Sequence, residues 1–177
     1  MGDGFGTRTL LAIDFISYLP VTGGAQQIPL SNSDFEETQG QVSPDGRWLS
    51  YTSNETGREE VHVRSMPPSL GGPTTPLKLR VSKEGGSAAR WREDGKELYF
   101  ISSGRQLMAV LMNESAEKIS PGEPKALFRV RSVLRNGFTY EPAANGKKFL
   151  FNDPLVEQAP VPITVIVNWQ GLLDQTK

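Results

Sequence analysis

Acid–base, nucleophilic and metal chemistry draw on a short set of side chains, and this sequence supplies that set thinly. Cysteine is absent, which removes disulfides, thiolate metal sites and thiol nucleophiles together. His62 is the single histidine. A Ser-His-Asp relay needs that imidazole beside an activated serine, and no Gly-x-Ser-x-Gly elbow presents one. One histidine also excludes a metal centre built from several. His62 sits mid-strand in an alternating stretch, residues 59–65, and reads as a structural or half-exposed strand residue.

Carboxylates cluster twice, at Asp34, Glu36 and Glu37 and again at Glu55, Glu59 and Glu60. Glycoside hydrolysis uses two such groups facing each other across a sugar. Both clusters fall in loops or beside turns, where solvation is the ordinary explanation. Trp48, Trp91 and Trp169, with Tyr51, Tyr99, Phe100, Phe149 and Phe151, have the composition of a stacking platform. They recur at matching positions, however, which points to packing between repeated units. Arg90 and Arg92 flank Trp91 and suit either a binding surface or salt bridges to nearby acids. Gly2, Gly4 and Gly6 are followed by no Gly-Lys-Ser/Thr and do not make a phosphate loop. Asn54-Glu-Thr56 and Asn113-Glu-Ser115 fit the glycosylation sequon, a weak three-residue pattern. No catalytic, cofactor-binding or metal-binding residue is assigned, and no cofactor is expected.

The elements that must position these side chains are repeated ones. The stretch from Gln41 to Ser53, Gln-Val-Ser-Pro-Asp-Gly-Arg-Trp-Leu-Ser-Tyr-Thr-Ser, returns as Ala89 to Ser102 and, eroded, as Tyr140 to Asn152. Each copy has Asp/Asn-Gly, then Arg/Lys, one variable residue, and an apolar–variable–aromatic triplet. Asp45 and Asp94 lie 49 positions apart, and Asp94 and Asn145 lie 51 apart. A period near fifty with a hairpin in every repeat denotes a β-blade rather than a helical pair. Asp-Gly and Asn-Gly favour a tight two-residue turn between antiparallel strands. The second copy is apolar on both faces of its strand and is expected to be buried on both.

Composition agrees with a β protein. The 177 residues include 18 Gly and 13 Pro, and the hydrophobic share is 37%. Basic and acidic residues number 19 and 20, interspersed, for a net charge of −1. That balance provides no electrostatic attraction for nucleic acid or an anionic membrane surface. The longest apolar runs, residues 10–13 and 163–167, are strand-sized, so no direct membrane insertion is expected.

In chain order, residues 1–8 are expected to fray, and residues 9–177 to form a partial propeller with blades at roughly 9–31, 38–82, 86–130 and 137–169. Within them the pattern predicts strands at 10–19, 26–30, 39–43, 47–53, 59–65, 77–82, 87–92, 96–102, 106–112, 125–130, 137–142, 147–152 and 163–169. Residues 113–123 read as a polar insertion. The fold class is therefore all-β: a partial β-propeller of four-stranded antiparallel blades, two complete and two partial. Rings close with ~4–8 blades, so an arc of this size belongs to a longer polypeptide or self-associates through open blade edges.

Ser43-Pro-Asp-Gly-Arg-Trp-Leu-Ser-Tyr51 resembles the TolB-like, PD40-type (WD40-like) β-propeller repeat of bacterial proteins. Asn54-Glu-Thr-Gly57, Arg90-Trp-Arg-Glu-Asp-Gly-Lys-Glu-Leu-Tyr99 and the ending Pro160-Val-Pro-Ile-Thr-Val-Ile-Val-Asn-Trp169 resemble the C-terminal propeller portion of bacterial serine/threonine protein kinases. The likeness runs from about residue 12 onward. It departs at His62, where an aromatic such as tyrosine is usual, and at Ala144-Asn145 in place of Pro-Asp. No Gly-rich ATP loop, His-Arg-Asp loop or Asp-Phe-Gly is present, so the resemblance implies no kinase chemistry in these residues.

The resemblance implies a non-catalytic binding or scaffolding module, the sensor or protein-interaction part of a larger protein, taking a protein or peptide at its loops. Its compartment would be extracytoplasmic behind a membrane-anchored segment and cytoplasmic otherwise. The alternatives are the access-gating propeller of a prolyl-oligopeptidase-like hydrolase and a small protein that closes a ring by self-association.

Overall fold

The computed structural model describes residues 16–19, 27–30, 33–115, 118–131 and 139–152. The expected strand at 163–169, the frayed residues 1–8 and Trp169 lie outside them. Every described element but one short 3-10 turn, Pro68–Leu70, is a β-strand. The class is all-β, built from antiparallel sheets, none of them closed.

The first large sheet is a meander of β3 (Glu37–Val42), β4 (Trp48–Ser53), β5 (Glu60–Ser65) and β6 (Lys78–Arg80). The second runs β7 (Gly86–Trp91), β8 (Glu97–Ser102) and β9 (Gln106–Glu114). On the far edge of β9 lie β11 (Lys125–Arg129) and β10 (Ile119–Pro121). Two hairpin-sized pairs flank these sheets: β1 (Ser17–Tyr18) with β2 (Ile28–Pro29), and β12 (Tyr140–Ala143) with β13 (Lys148–Phe151).

Strand alternation assigns each face. Trp48 of β4, Val61 and Val63 of β5, Ala89 and Trp91 of β7, Leu98 and Phe100 of β8 and Val110 and Met112 of β9 form one buried cluster between the two large sheets. The opposite face of the first sheet, through Leu49 and Tyr51, packs with Met66, Ile16 and Leu30. The opposite face of the second, through Tyr99, Ile101 and Leu107, packs with Tyr140, Phe149 and Phe151. Four sheets thus stack in chain order, and β8 is buried on both faces as its sequence implied. Each large apolar side chain in these seams contributes about 1.5–3 kcal/mol.

Two matching irregularities lock the layers. The β3–β4 register shifts between Thr38 and Gln41, and the β7–β8 register shifts between Ser87 and Arg90. Gln39 and Ala88, at the shifts, have φ of 56° and 57°. Such bulges turn a side chain out of the ladder. The freed Gln39 carboxamide accepts from the Thr52 hydroxyl at 2.9 Å and from the Ala88 N–H of the next sheet at 2.7 Å. Gln41 does the same one turn of pleat on, accepting from the Trp91 N–H at 2.8 Å.

Three expectations need correction. First, Asp45-Gly46 is not a two-residue turn. The Gly46 N–H bonds the Ser43 carbonyl at 2.9 Å, so Pro44 and Asp45 form the centre and only Gly46 is left-handed, at φ 79°. Proline, with φ held near −65°, cannot enter a mirror-image turn. Glu93 in the second repeat keeps the same turn, with only Gly95 left-handed, whereas in the third Ala144, Asn145 and Gly146 all have positive φ. Second, residues 113–123 are not merely a polar insertion. Strand β9 continues to Glu114 and β10 folds back on it, because Ile119 reaches the core seam. Third, the outer strand expected at 77–82 is shorter, Lys78–Arg80.

Candidate functional site

The β4–β5 loop, the β6–β7 connection and the β8–β9 turn meet at one end of the two large sheets. There, Arg58, Glu59, Gly85, Gly86, Ser87, Ser102, Ser103 and Arg105 line an open cleft of about 340 Å³. A neighbouring groove shares Gly85, Ser102 and Ser103 and is bordered by Lys83, Phe100, Met108 and Pro124.

The cleft is held from below by Glu60, which is fully buried. Its carboxylate accepts from the Ser82 hydroxyl, from the Gly85 N–H at 3.1 Å and from Arg58 Nε at 2.8 Å. Burial alone would raise its pKa, but these three donors together outweigh burial and hold it below the ordinary carboxylate value. Arg58 also donates to the Lys83 carbonyl at 2.5 Å, tying the loop to the connection. Close packing does the rest. A Cβ on Gly86 would stand 2.8 Å from Phe100 Cδ2.

His62 is buried rather than half-exposed, stacked on Tyr51 with ring centroids 5.6 Å apart. Its Nδ1 lies 3.2 Å from the Glu60 carbonyl and its Nε2 3.0 Å from Glu55 Oε1. Lys78 completes the row by pairing with Glu55. Burial lowers the imidazole pKa more than the Glu55 carboxylate raises it, so the ring stays neutral near neutral pH. Among the described residues no serine hydroxyl is bonded to it, so these contacts do not assemble a Ser-His-acid relay.

The other sequence candidates separate. Asp34, Glu36 and Glu59 are exposed, as loop acids commonly are. Glu37 and Glu60 are buried, contrary to the solvation expected of them. Glu37 accepts from the Ser33 hydroxyl at 3.0 Å, while Glu60 is the cleft's support. Arg92 forms ion pairs with Asp94 at 2.7 Å and Glu97 at 2.8 Å, both beside its own turn. Arg90 is buried, with Nε 3.5 Å from Glu141 of β12. Trp48, Trp91, Tyr51, Tyr99 and Phe100 are core residues. Phe149 and Phe151 pack against Phe128 and Tyr140. The Asn54 carboxamide is engaged with Glu36 at the base of its turn. Among the described residues, no group of three or more His, Asp or Glu side chains is arranged to hold a metal ion.

Sequence reasoning did not single out Arg58, Arg105 or the Gly85-Gly86 pair. The repeat itself held a usable signal: the β8–β9 turn closes in three residues, Ser103 to Arg105, where the equivalent β4–β5 loop has six. Compared with known proteins, the chain matches no family model and aligns significantly with no curated protein.

Proposed function

We propose that this chain is a non-catalytic binding module, a partial β-propeller of TolB-like blades that works within a larger protein. The observation that carries the reading is the stacking of a four-stranded antiparallel meander on a five-stranded sheet that repeats its first three strands, with matched bulges at Gln39 and Ala88, 49 residues apart. Repetition of bulge, turn and aromatic seam in consecutive layers is how propeller blades are built. Function then falls to the loops at one end, where Arg58, Glu59 and Arg105 stand around a cleft open to a peptide or protein.

Exposed apolar residues on edge strands also support self-association as a second reading. Leu150 is 73% exposed, and Leu127 and Phe128 on β11 are exposed as well. Such apolar sheet edges pair readily with another chain.

An immunoblot of fractionated source cells, using an antibody to this chain, tests the first reading. The expected result is a band well above 19.4 kDa. A band at that mass, with a soluble oligomer of the same chain, refutes the larger-protein reading and favours ring closure by self-association. Peptides carrying a Gly-x-Ser-x-Gly elbow in the larger band would instead identify the propeller of a hydrolase.

A further inference from the structure

Six chain reversals among the described residues end on a residue with positive φ whose N–H bonds the carbonyl three positions back. They end at Gly46, Gly57, Gly71, Gly95, Arg105 and Gly146. Five use glycine, for which the left-handed region carries no steric penalty. The sixth places Arg105 there, at φ 59°. The other side chains with positive φ have local reasons. Gln39 uses the conformation to bridge two sheets, Ala88 sits at the equivalent bulge, and Ala144 and Asn145 belong to the altered third turn.

Arg105 shows no such return within the fold. Its bonds are backbone ones: its N–H donates to the Ser102 carbonyl at 2.9 Å, and its carbonyl accepts from the Val130 N–H at 2.8 Å. Its guanidinium makes no ion pair among the described residues, and it lines the same cleft as Arg58. A side chain kept in a strained conformation at the mouth of a cleft marks a site whose use lies outside the fold.

We propose that this cleft binds a peptide carboxylate, with Arg105 as its anchor. The inference rests on the binding-module reading and names the ligand chemistry of its loop end. Guanidinium matches carboxylate with two parallel hydrogen bonds. Arg58, held by Glu60 and by the Lys83 carbonyl, and Ser87 line the same cleft, so its polar lining is not confined to Arg105. Glu59 opposes an anion at the same mouth. Its removal should therefore strengthen binding of a simple carboxylate.

The test is amide NMR on the full 177-residue chain, titrated with three acetylated pentapeptides of glycine. One has a free C-terminal carboxylate, one an amidated end with a central glutamate, and one an amidated end with no charge. Shifts at Gly85, Gly86, Ser103 and Gly104 are expected with a carboxylate peptide and not with the neutral one, and the stronger of the two charged peptides identifies the source of the carboxylate. Arg105→Gly should weaken binding at least tenfold while leaving the melting temperature equal or higher, and Glu59→Gln should tighten it. The proposal is overturned if the neutral peptide binds as well, if Arg105→Gly retains affinity, or if that variant melts several degrees lower, which would make Arg105 a packing residue. Shifts confined to loops at the opposite end would overturn the cleft yet leave the module reading standing.

Discussion

Gln39 offers the sharpest test of how the layers are joined. Replacing it with alanine removes the acceptor for the Ala88 N–H and the Thr52 hydroxyl, both of them buried. A buried donor stripped of its partner costs ~1–3 kcal/mol, and the Thr52 hydroxyl can turn to recover part of its loss. Gln39→Ala should therefore lose about 2–4 kcal/mol, or about 5–15 °C in melting temperature for a chain of this length. Glycine discriminates further. It loses the same two hydrogen bonds but relieves the left-handed strain of φ 56°. That relief is ~1–2 kcal/mol, against ~0.5–1 kcal/mol of extra chain entropy. Gln39→Gly should thus be more stable than Gln39→Ala by roughly 0.5–1 kcal/mol, the reverse of the usual order in a strand. Urea unfolding at constant m-value reads both differences. An alanine variant within 0.5 kcal/mol of the parent would refute the bridging role, and glycine below alanine would refute the left-handed strain (~0.5 being the ordinary surface scatter).

Phe100→Ala should cost about 3–5 kcal/mol in urea unfolding, because the ring fills the seam between the two large sheets, whereas Leu150→Ala at the exposed edge should change stability by less than about 0.5 kcal/mol. Gly86→Ala should destabilise by roughly 1–3 kcal/mol by driving a methyl into Phe100, measurable as a lower urea midpoint. His62 has a folded pKa below its ordinary value of 6.5, so its contribution is complete above that pH and is lost as pH falls from there toward the folded value. Stability measured from pH 7 down to 5 should decline, and His62→Gln should flatten that slope; the lowered Glu60 carboxyl acts only at more acidic pH, below about 4.5.

Much of this architecture was legible because its signals are local. Asp-Gly and Asn-Gly with alternating strands after them announced three hairpins, and the apolar doubling at Leu98–Ile101 announced a strand covered on both faces. Where the reading erred, the deciding term was not local. Glu60 looks like any acid near a turn until Ser82, Arg58 and Gly85 converge on it from 2 to 25 residues away. The bulges at Gln39 and Ala88 have no turn residue to mark them, since their φ is held by a hydrogen bond to the next sheet. Residues 113–123 are polar enough to pass for a loop, and only the burial of Ile119 pulls them into a hairpin. Arg105 was invisible for the opposite reason: sequence gives no sign that a left-handed turn position will be filled by something other than glycine.

Amide hydrogen exchange on the full chain tests the stacked array most directly. Strands β4, β5 and β8 are paired along both edges and covered on both faces, and among the described residues the pair β12–β13 is neither. The slowest amides are expected in those three strands, with β11 and β12–β13 exchanging earliest among the described strands. Protection in β12–β13 equal to that in β8, or rapid exchange across β4 and β5, would contradict the layered order on which the binding-module reading depends.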